Sequence, residues 1–305
     1  MYDVRDLNGL ESQARGDLLY HIQELLFGNH LLAAHIVRDQ RKFSLSHYHA
    51  NEAVRVAKAM QDSDLTATAL YTRGCTYLEW GIFGLLNKGV YQIQHEKIEA
   101  SILDWENAKK IYKDEEKDMH IQLSGRIDVH LGRAYALLSV SKGEKVPGLA
   151  LTLLDQAEDT AGVQNIDDSY TRALIVGERV SFTKGGYHST RAAAFTDAKM
   201  PGAALKELNA VETLQQGVSK DLTRRHVWLN IIAANAFLHL ENFEEATKHA
   251  RSALIASQDI NSITNLTNVM DIYGRLLRSP YNIDVNVQEL GDMLRDAFTT
   301  HIQQK

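Results

Sequence analysis

The sequence contains a single cysteine, Cys75, and only three prolines among 305 residues. One cysteine excludes an internal disulfide framework and any zinc site built from cysteines alone, and it favours a reducing compartment. Scarce proline favours helices, because proline removes a backbone donor and clashes inside a helix. Pro147, Pro201 and Pro280 each stand where a helix should begin or end. The low proline content therefore predicts a mainly helical chain.

The sequence also lacks the charge and the apolar runs of several protein classes. Its net charge is -6 at pH 7, so it offers no overall positive field to a nucleic-acid backbone. We therefore expect no direct binding of nucleic acid. The first residues lack the basic start and apolar core of a signal peptide, and residues 81–93 are too short to cross a bilayer, which needs about 20 apolar residues. We expect a cytoplasmic protein that does not enter a membrane.

Motifs of the common enzyme classes are absent or stand in the wrong context. The sequence has no glycine-rich phosphate loop, no Gly-x-Ser-x-Gly elbow and no His-Glu-x2-His. Asp62 and Asp64 match the Asp-x-Asp-x-Thr string of aspartate-nucleophile phosphatases, but that site needs a preceding apolar strand, and residues 54–60 read as a helix. His47 and His49 lie about 200° apart on a helix, which does not suit one metal ion. We therefore predict no catalysis, no metal and no cofactor.

One spacing recurs five times along the chain. A small residue is usually followed four positions later by a larger one, and three positions after that by another small one. The five triplets are Ala50/Val54/Ala57, Ser101/Trp105/Ala108, Ala150/Leu154/Ala157, Ala204/Leu208/Val211 and Ala246/Ala250/Ala253. Residues three and four apart share one helical face, and small residues there let a neighbouring helix approach to about 8–10 Å. The spacing predicts five closely packed helix pairs, each with a triplet on its second helix.

Upstream of four triplets, a small residue precedes an aromatic one by three positions. These are Gly74/Tyr77, Gly132/Tyr135, Ala192/Phe195 and Ala234/Phe237. Together with the triplets they resemble the tetratricopeptide repeat, which carries Leu-Gly-x2-Tyr in its first helix and Ala-x3-Phe-x2-Ala in its second. Residues 131–135 are the closest match, and residues 230–253 follow the pattern without insertion. The first pair departs from it, because Arg38 and Arg41 stand where the small and aromatic residues should be.

The resemblance implies an all-α fold, a right-handed superhelical solenoid of about five such helix pairs that forms a single domain over residues 1–305. We expect the pairs at residues 17–62, 64–116, 118–161, 185–218 and 222–258, with capping helices in residues 262–303. The marker residues are spaced more widely than the family's period of about 34. Insertions are therefore expected at residues 81–95, 139–146 and 162–186, with a short extended piece at residues 174–183.

First helices line the concave side of such a solenoid, where polar side chains meet a ligand. The helical stripes on that side predict a groove that binds a ligand or peptide. The predicted groove residues are Tyr71, Arg126, Arg133, Trp228, Asn235 and His239. Two arginines two turns apart suit a carboxylate or phosphate, and an asparagine amide can bond a peptide backbone in both directions. The pattern also allows a structural interpretation, in which Arg126 and Arg133 pair with Asp128 or nearby acids and Trp228 is core.

The chain as a whole also resembles the C-terminal repeat half of bacterial transcriptional regulators that begin with a Cro-type helix-turn-helix domain. Residues 71–79, the insertion after them and residues 289–292 carry this resemblance, while the residues before Asp17 are too few for a DNA-binding domain. It implies a ligand- or peptide-sensing domain of a cytoplasmic regulator, whose partner is a peptide or protein in the concave groove. The alternative is a scaffold that binds partner proteins only. A homodimer is compatible with both.

Overall fold

The computed structural model of the chain describes residues 4–87, 90–116, 118–163, 182–215, 223–260 and 262–303. The helices in these ranges are α1 (Val4–Glu11), α2 (Gly16–Asp39), α3 (Phe43–Ala59), α4 (Ser63–Phe83), α5 (His95–Asp114), α6 (Ile121–Ser141), α7 (Gly148–Thr160), α8 (Lys184–Asp197), α9 (Pro201–Gln215), α10 (Thr223–His239), α11 (Phe243–Asp259), α12 (Ile263–Leu276) and α13 (Val285–Gln303). A two-residue antiparallel ladder, β1 (Leu86–Asn87) and β2 (Val90–Tyr91), joins α4 to α5. The predicted helical class is thus confirmed for the described residues. The extended piece expected at 174–183 lies almost entirely outside them.

The helices pack in adjacent pairs, α2 with α3, α4 with α5, α6 with α7, α8 with α9 and α10 with α11. Each predicted triplet lies on the second helix of its pair, and every residue of the five triplets is buried. The small residues allow close approach. At Gly132 on α6, an added Cβ would lie 2.8 Å from the carbonyl oxygen of Ala150 and 2.8 Å from Leu154 Cγ, both on α7. The spacing in the sequence therefore marks the true contact faces.

Successive first helices also contact one another, so that α2, α4, α6, α8, α10 and α12 form one continuous layer. The two C-terminal helices cover the end of this array of pairs, because α12 packs on α10 and α11 while α13 packs on α11 and α12. None of the helices in the described ranges is long and apolar enough to span a membrane.

Four pairs share one turn geometry. The second residue after the first helix has a positive φ, at Arg41 (57°), Gly143 (78°), Lys199 (55°) and Glu241 (56°). In each turn the next amide donates to the carbonyl five residues earlier, as in the Schellman motif that ends many helices. This left-handed conformation costs a residue other than glycine about 1–2 kcal/mol. Two of the residues that bear this cost, Arg41 and Lys199, lie near the central cavity described below.

The two ends of the array touch each other. Arg41, in the turn between α2 and α3, donates hydrogen bonds to Oδ1 of Asn268 and, at 3.2 Å, to the carbonyl of Thr264, both on α12. The hydroxyl of Thr264 donates in return to the carbonyl of Asp39. We call this set of hydrogen bonds, from Asp39 and Arg41 to Thr264 and Asn268, the closing contact. It joins residues more than two hundred positions apart.

Aromatic rings of α4 and the β-ladder support the closing contact. The guanidinium carbon of Arg41 lies 4.5 Å from the centre of the Phe83 ring and 4.9 Å from that of Tyr91. The backbone amide of Tyr91 donates to the carboxylate of Asp271 on α12 at 3.4 Å. The insertion after α4 thus bridges the second pair and the C-terminal helices.

Replacing Arg41 with methionine should lower the free energy of unfolding by about 1–2 kcal/mol. The change removes the two hydrogen bonds that Arg41 donates to α12. It also removes two buried nitrogens, Nε and Nη1, that lack a partner, and this relief offsets part of the loss. Hydrogen exchange should accelerate in α12 and leave α6 and α7 unchanged. Arg55→Met is the matched control, because the ion pairs of Arg55 with Glu52 and Glu11 lie far from α12 in the array and are partly exposed to solvent. Equal rates of hydrogen exchange in α12 for both variants would contradict the role of the closing contact.

Candidate functional site

A cavity of about 510 Å³ lies between the layer of first helices and the ladder, bordered by the closing contact. This volume falls within the range of about 300–1,000 Å³ that is usual for small-ligand sites. Side chains from α4, α6, α8, α10 and α12 line it, together with residues of the ladder segment and of the turn after α8. The apolar part of the wall includes Ile82, Phe83, Ile93, Leu137, Ile231 and Ile232.

Arg133 and Trp228, both predicted site residues, lie together in the cavity wall. The Nε of Arg133 donates to Oδ2 of Asp197 at 2.6 Å, and its guanidinium lies 5.9 Å from the centre of the Trp228 ring. The acid that pairs with Arg133 is therefore Asp197. Asp128 pairs instead with Lys109, at 2.5 Å. The ion pair holds Arg133 in place beside the indole.

Asn235, a third predicted site residue, has both ends of its amide engaged by the protein. Its oxygen accepts from Nη1 of Arg275 at 2.6 Å, and its nitrogen donates to the carbonyl of Ile231 at 3.0 Å. The double hydrogen bond to a peptide that the sequence suggests would have to use the remaining N–H and the remaining lone pair of this amide. Arg275 was not predicted, because it lies on α12, which reads from the sequence as a capping helix.

His239, the fourth predicted residue in the wall, lies in a positive environment. Burial, together with the nearby charges of Arg275 and Lys199, lowers the pKa of its imidazole to about 4. The imidazole is therefore neutral between pH 5 and 8 in this structure. Lys199 also lines the cavity, from its left-handed turn. This end of the cavity thus combines two cations with an uncharged imidazole.

Asp271 is the acidic group nearest the closing contact in the cavity wall. Burial raises the pKa of its carboxyl group, while Arg275, the amide of Tyr91, Arg278 and Arg41 act in the opposite direction. Three arginines thus each favour the charged form of this carboxylate. Burial outweighs these cations, so the pKa of Asp271 stays above its ordinary value.

Tyr71, a predicted site residue, belongs to the core instead of the cavity. Its side chain is 4% exposed, and its ring meets that of His130 edge-on at 5.5 Å. Its backbone carbonyl accepts the indole N–H of Trp105 at 3.1 Å. The helical stripe predicts Tyr71 as a groove residue, but His130 of α6 covers its ring.

Arg126 likewise does not line the cavity, although it lies two turns before Arg133 on the same face of α6. It is only 6% exposed. The chain that follows α7 packs against this first part of α6, where Gln122 donates to the carbonyl of Val163 at 2.6 Å. The two arginines therefore do not form one anion site.

The residues of the phosphatase-like string occupy a helix start. Asp62 caps α4 by accepting the amide of Leu65 at 2.9 Å, and Asp64 accepts the hydroxyl of Tyr112. The segment before them is the helix α3. The capping of α4 thus explains the position of Asp62, and the hydrogen bond from Tyr112 accounts for Asp64.

His47 and His49 have separate partners. His47 Nε2 lies 2.7 Å from the hydroxyl of Tyr77, whereas His49 Nδ1 lies 3.0 Å from Nδ1 of the buried His30. Across the part of the chain that the structure describes, no group of three or more histidine, cysteine or acidic residues is placed to hold a metal ion.

The cavity collects Arg133, Trp228, Asn235 and His239 in one wall, adds Lys199, Asp271 and Arg275, and leaves Tyr71 and Arg126 outside. Comparison with known proteins adds no assignment, because no family model and no curated protein sequence matches this chain. Its function must therefore be inferred from the cavity.

Proposed function

We propose that the chain is a tetratricopeptide-like solenoid that binds a small organic ligand in its central cavity and catalyses no reaction. The observation that carries this proposal is a cavity of about 510 Å³ lined by five successive first helices. Apolar side chains form much of its wall, and a few polar groups converge on it, which is the usual composition of small-molecule sites.

The closing contact supports a compact ligand over an extended peptide. An extended peptide would run along the layer of first helices, and Arg41, Thr264 and Asn268 join the ends of that layer. The amide of Asn235 is also committed to Arg275 and to the backbone. A compact molecule can occupy the cavity without breaking either set of bonds.

We further propose that this domain senses its ligand on behalf of a bacterial cytoplasmic regulator, as the resemblance to Cro-type regulators implies. Phe83 and Tyr91 line the cavity on one side of the closing contact, while Asn268 and Asp271 line it on the other. A ligand that touches both sides favours the closed state by its differential affinity for that state. Occupancy of the cavity would thus be converted into a change at the ends of the array.

The alternative of a partner-protein scaffold is supported by one surface of α2. Leu18, Leu25 and Ile36 share one face of this helix, and each is more than two-fifths exposed. Exposed apolar residues in a stripe are typical of contact sites for another protein or a second copy of the chain.

The proposal is tested by a thermal-shift screen of small organic molecules followed by titration of tryptophan fluorescence. We expect ligands that raise the melting temperature and change the emission of Trp228. Ala193→Phe, which adds a phenyl ring to the cavity wall, should abolish their binding. Ala59→Phe makes the same change at an exposed position and should bind as the original protein does. Ligands that bind both variants equally would place the site elsewhere.

A further inference from the structure

We infer that the ligand is an organic anion with an apolar body, and that Arg275 and Lys199 bind its acidic group beside His239. This inference rests on the proposed function and names the chemical class of the ligand. It assigns the apolar body to the opposite part of the wall, formed by Phe83, Ile93 and Leu137.

The charges in the cavity wall favour an anion. Three cations, Arg133, Lys199 and Arg275, face two carboxylates, Asp197 and Asp271. The cavity therefore has a positive excess in a protein whose net charge is -6. A local field opposite in sign to the overall charge concentrates ligands of the complementary sign.

Arginines of the protein already act on both carboxylates. Asp197 accepts from Arg133 at 2.6 Å. Asp271 lies in the field of Arg275, Arg278 and Arg41. A cationic ligand would therefore approach either acid against positive charges of the protein that already act on it. Lys199 remains as a cation in the wall that no carboxylate contacts within salt-bridge distance in the described residues.

The order of residues along α12 separates the two parts of the cavity. Asn268 lies at the closing contact, Asp271 contacts Tyr91, and Arg275 contacts Asn235 one turn further on. The helix rises by about 1.5 Å per residue, so Asn268 and Arg275 are about 10 Å apart along its axis. Phe83, Ile93 and Leu137 supply apolar wall, while Arg275 and Lys199 act on His239 at the other end.

Arg275 can bind an acid without losing its present partner. A guanidinium has five N–H donors, and one of its terminal nitrogens, Nη1, already donates to Asn235. That bond orients the plane of the guanidinium. The neutral imidazole of His239 supplies one further donor without adding a fixed charge.

The test uses three series of probes with matched chains, in which only the head group differs. Hexanoate, octanoate and decanoate are compared with the corresponding alcohols and amines by calorimetry, at constant ionic strength. The best acid should bind at least about tenfold more tightly than its alcohol, because a charge-assisted hydrogen bond is worth about that factor or more. The amine should bind most weakly.

Two matched variants identify the residue that recognises the acid. Arg275→Met should weaken the binding of the best acid about tenfold or more and change that of its alcohol less than about twofold. Arg278→Met removes the same charge from an exposed position near the same helix end and should have a much smaller effect. Lys199→Gln, at an exposed turn, provides a second variant if Arg275→Met unfolds.

The outcomes separate the two proposals. Equal affinity for acid and alcohol, with binding lost in Ala193→Phe, would keep the cavity as the site and overturn the anionic ligand. Tighter binding of the amine would overturn it as well. If no probe of any series binds, or if Ala193→Phe binds them all, the proposed function itself is overturned.

Discussion

Replacing Trp105 with alanine is expected to lower the free energy of unfolding by about 3–5 kcal/mol, as for other fully buried aromatic residues. The Trp105 side chain is 0% exposed. Its indole fills the space over Gly74, where an added Cβ would lie 2.5 Å from Nε1, and its N–H donates to the carbonyl of Tyr71. Removing the ring leaves a cavity between α4 and α5 that neither helix backbone can easily close. Urea denaturation followed by far-UV circular dichroism measures the loss.

Tyr48→Ala is the control for this loss, because Tyr48 is 53% exposed on the same array. We expect it to change the free energy of unfolding by less than about 0.5 kcal/mol. Similar losses in both variants would mean that α5 does not pack on α4 through Trp105.

Replacing Gly132 with leucine should destabilise the protein by about 2–3 kcal/mol through overpacking. The first atom of the new side chain would already lie 2.8 Å from the backbone oxygen of Ala150. A backbone atom cannot move aside as the end of a flexible side chain can, so α6 and α7 must separate. Separation also exposes Leu154, which is 1% exposed in the native structure. A clear fall in melting temperature is the expected readout.

Gly202→Leu is the matched control, since it introduces the same side chain at another helical glycine. An added Cβ at Gly202 has no heavy atom within 4 Å apart from its local backbone. Replacing a helical glycine there should be neutral or slightly stabilising, because glycine is a poor helix former. An unchanged melting temperature in Gly132→Leu would show that α7 does not approach α6 at this residue.

The helices and their pairing could be predicted because the information is local. The triplet Ala150, Leu154 and Ala157 specifies a face of α7 by its own spacing, without reference to any distant residue. The sequence also shows that the first pair departs from the repeat pattern at Arg41. It does not show the reason, because the partner of Arg41 lies at Asn268, 227 positions later.

The site could be predicted only in part. A helical stripe predicts which face of a helix a residue lies on, but it does not predict whether another part of the chain covers that residue. Arg126 and Arg133 share a face of α6, yet Arg126 is buried outside the cavity and only Arg133 reaches it. Lys199 reaches the cavity from the turn after α8, and Arg275 reaches it from α12. No repeat pattern marks such positions, because they depend on how far the array curves.

The closing contact makes the curvature of the whole array measurable at one point. Each junction between neighbouring helix pairs contributes a small rotation, and such rotations add along a repeat array. A change of a few degrees at any junction between α3 and α11 would thus add to the other rotations and shift the two ends of the array relative to each other. Arg41 and Thr264, 223 positions apart, remain within hydrogen-bonding distance only when that sum is right. The contact between Arg41 and Thr264 therefore reports the angles between helix pairs throughout the array.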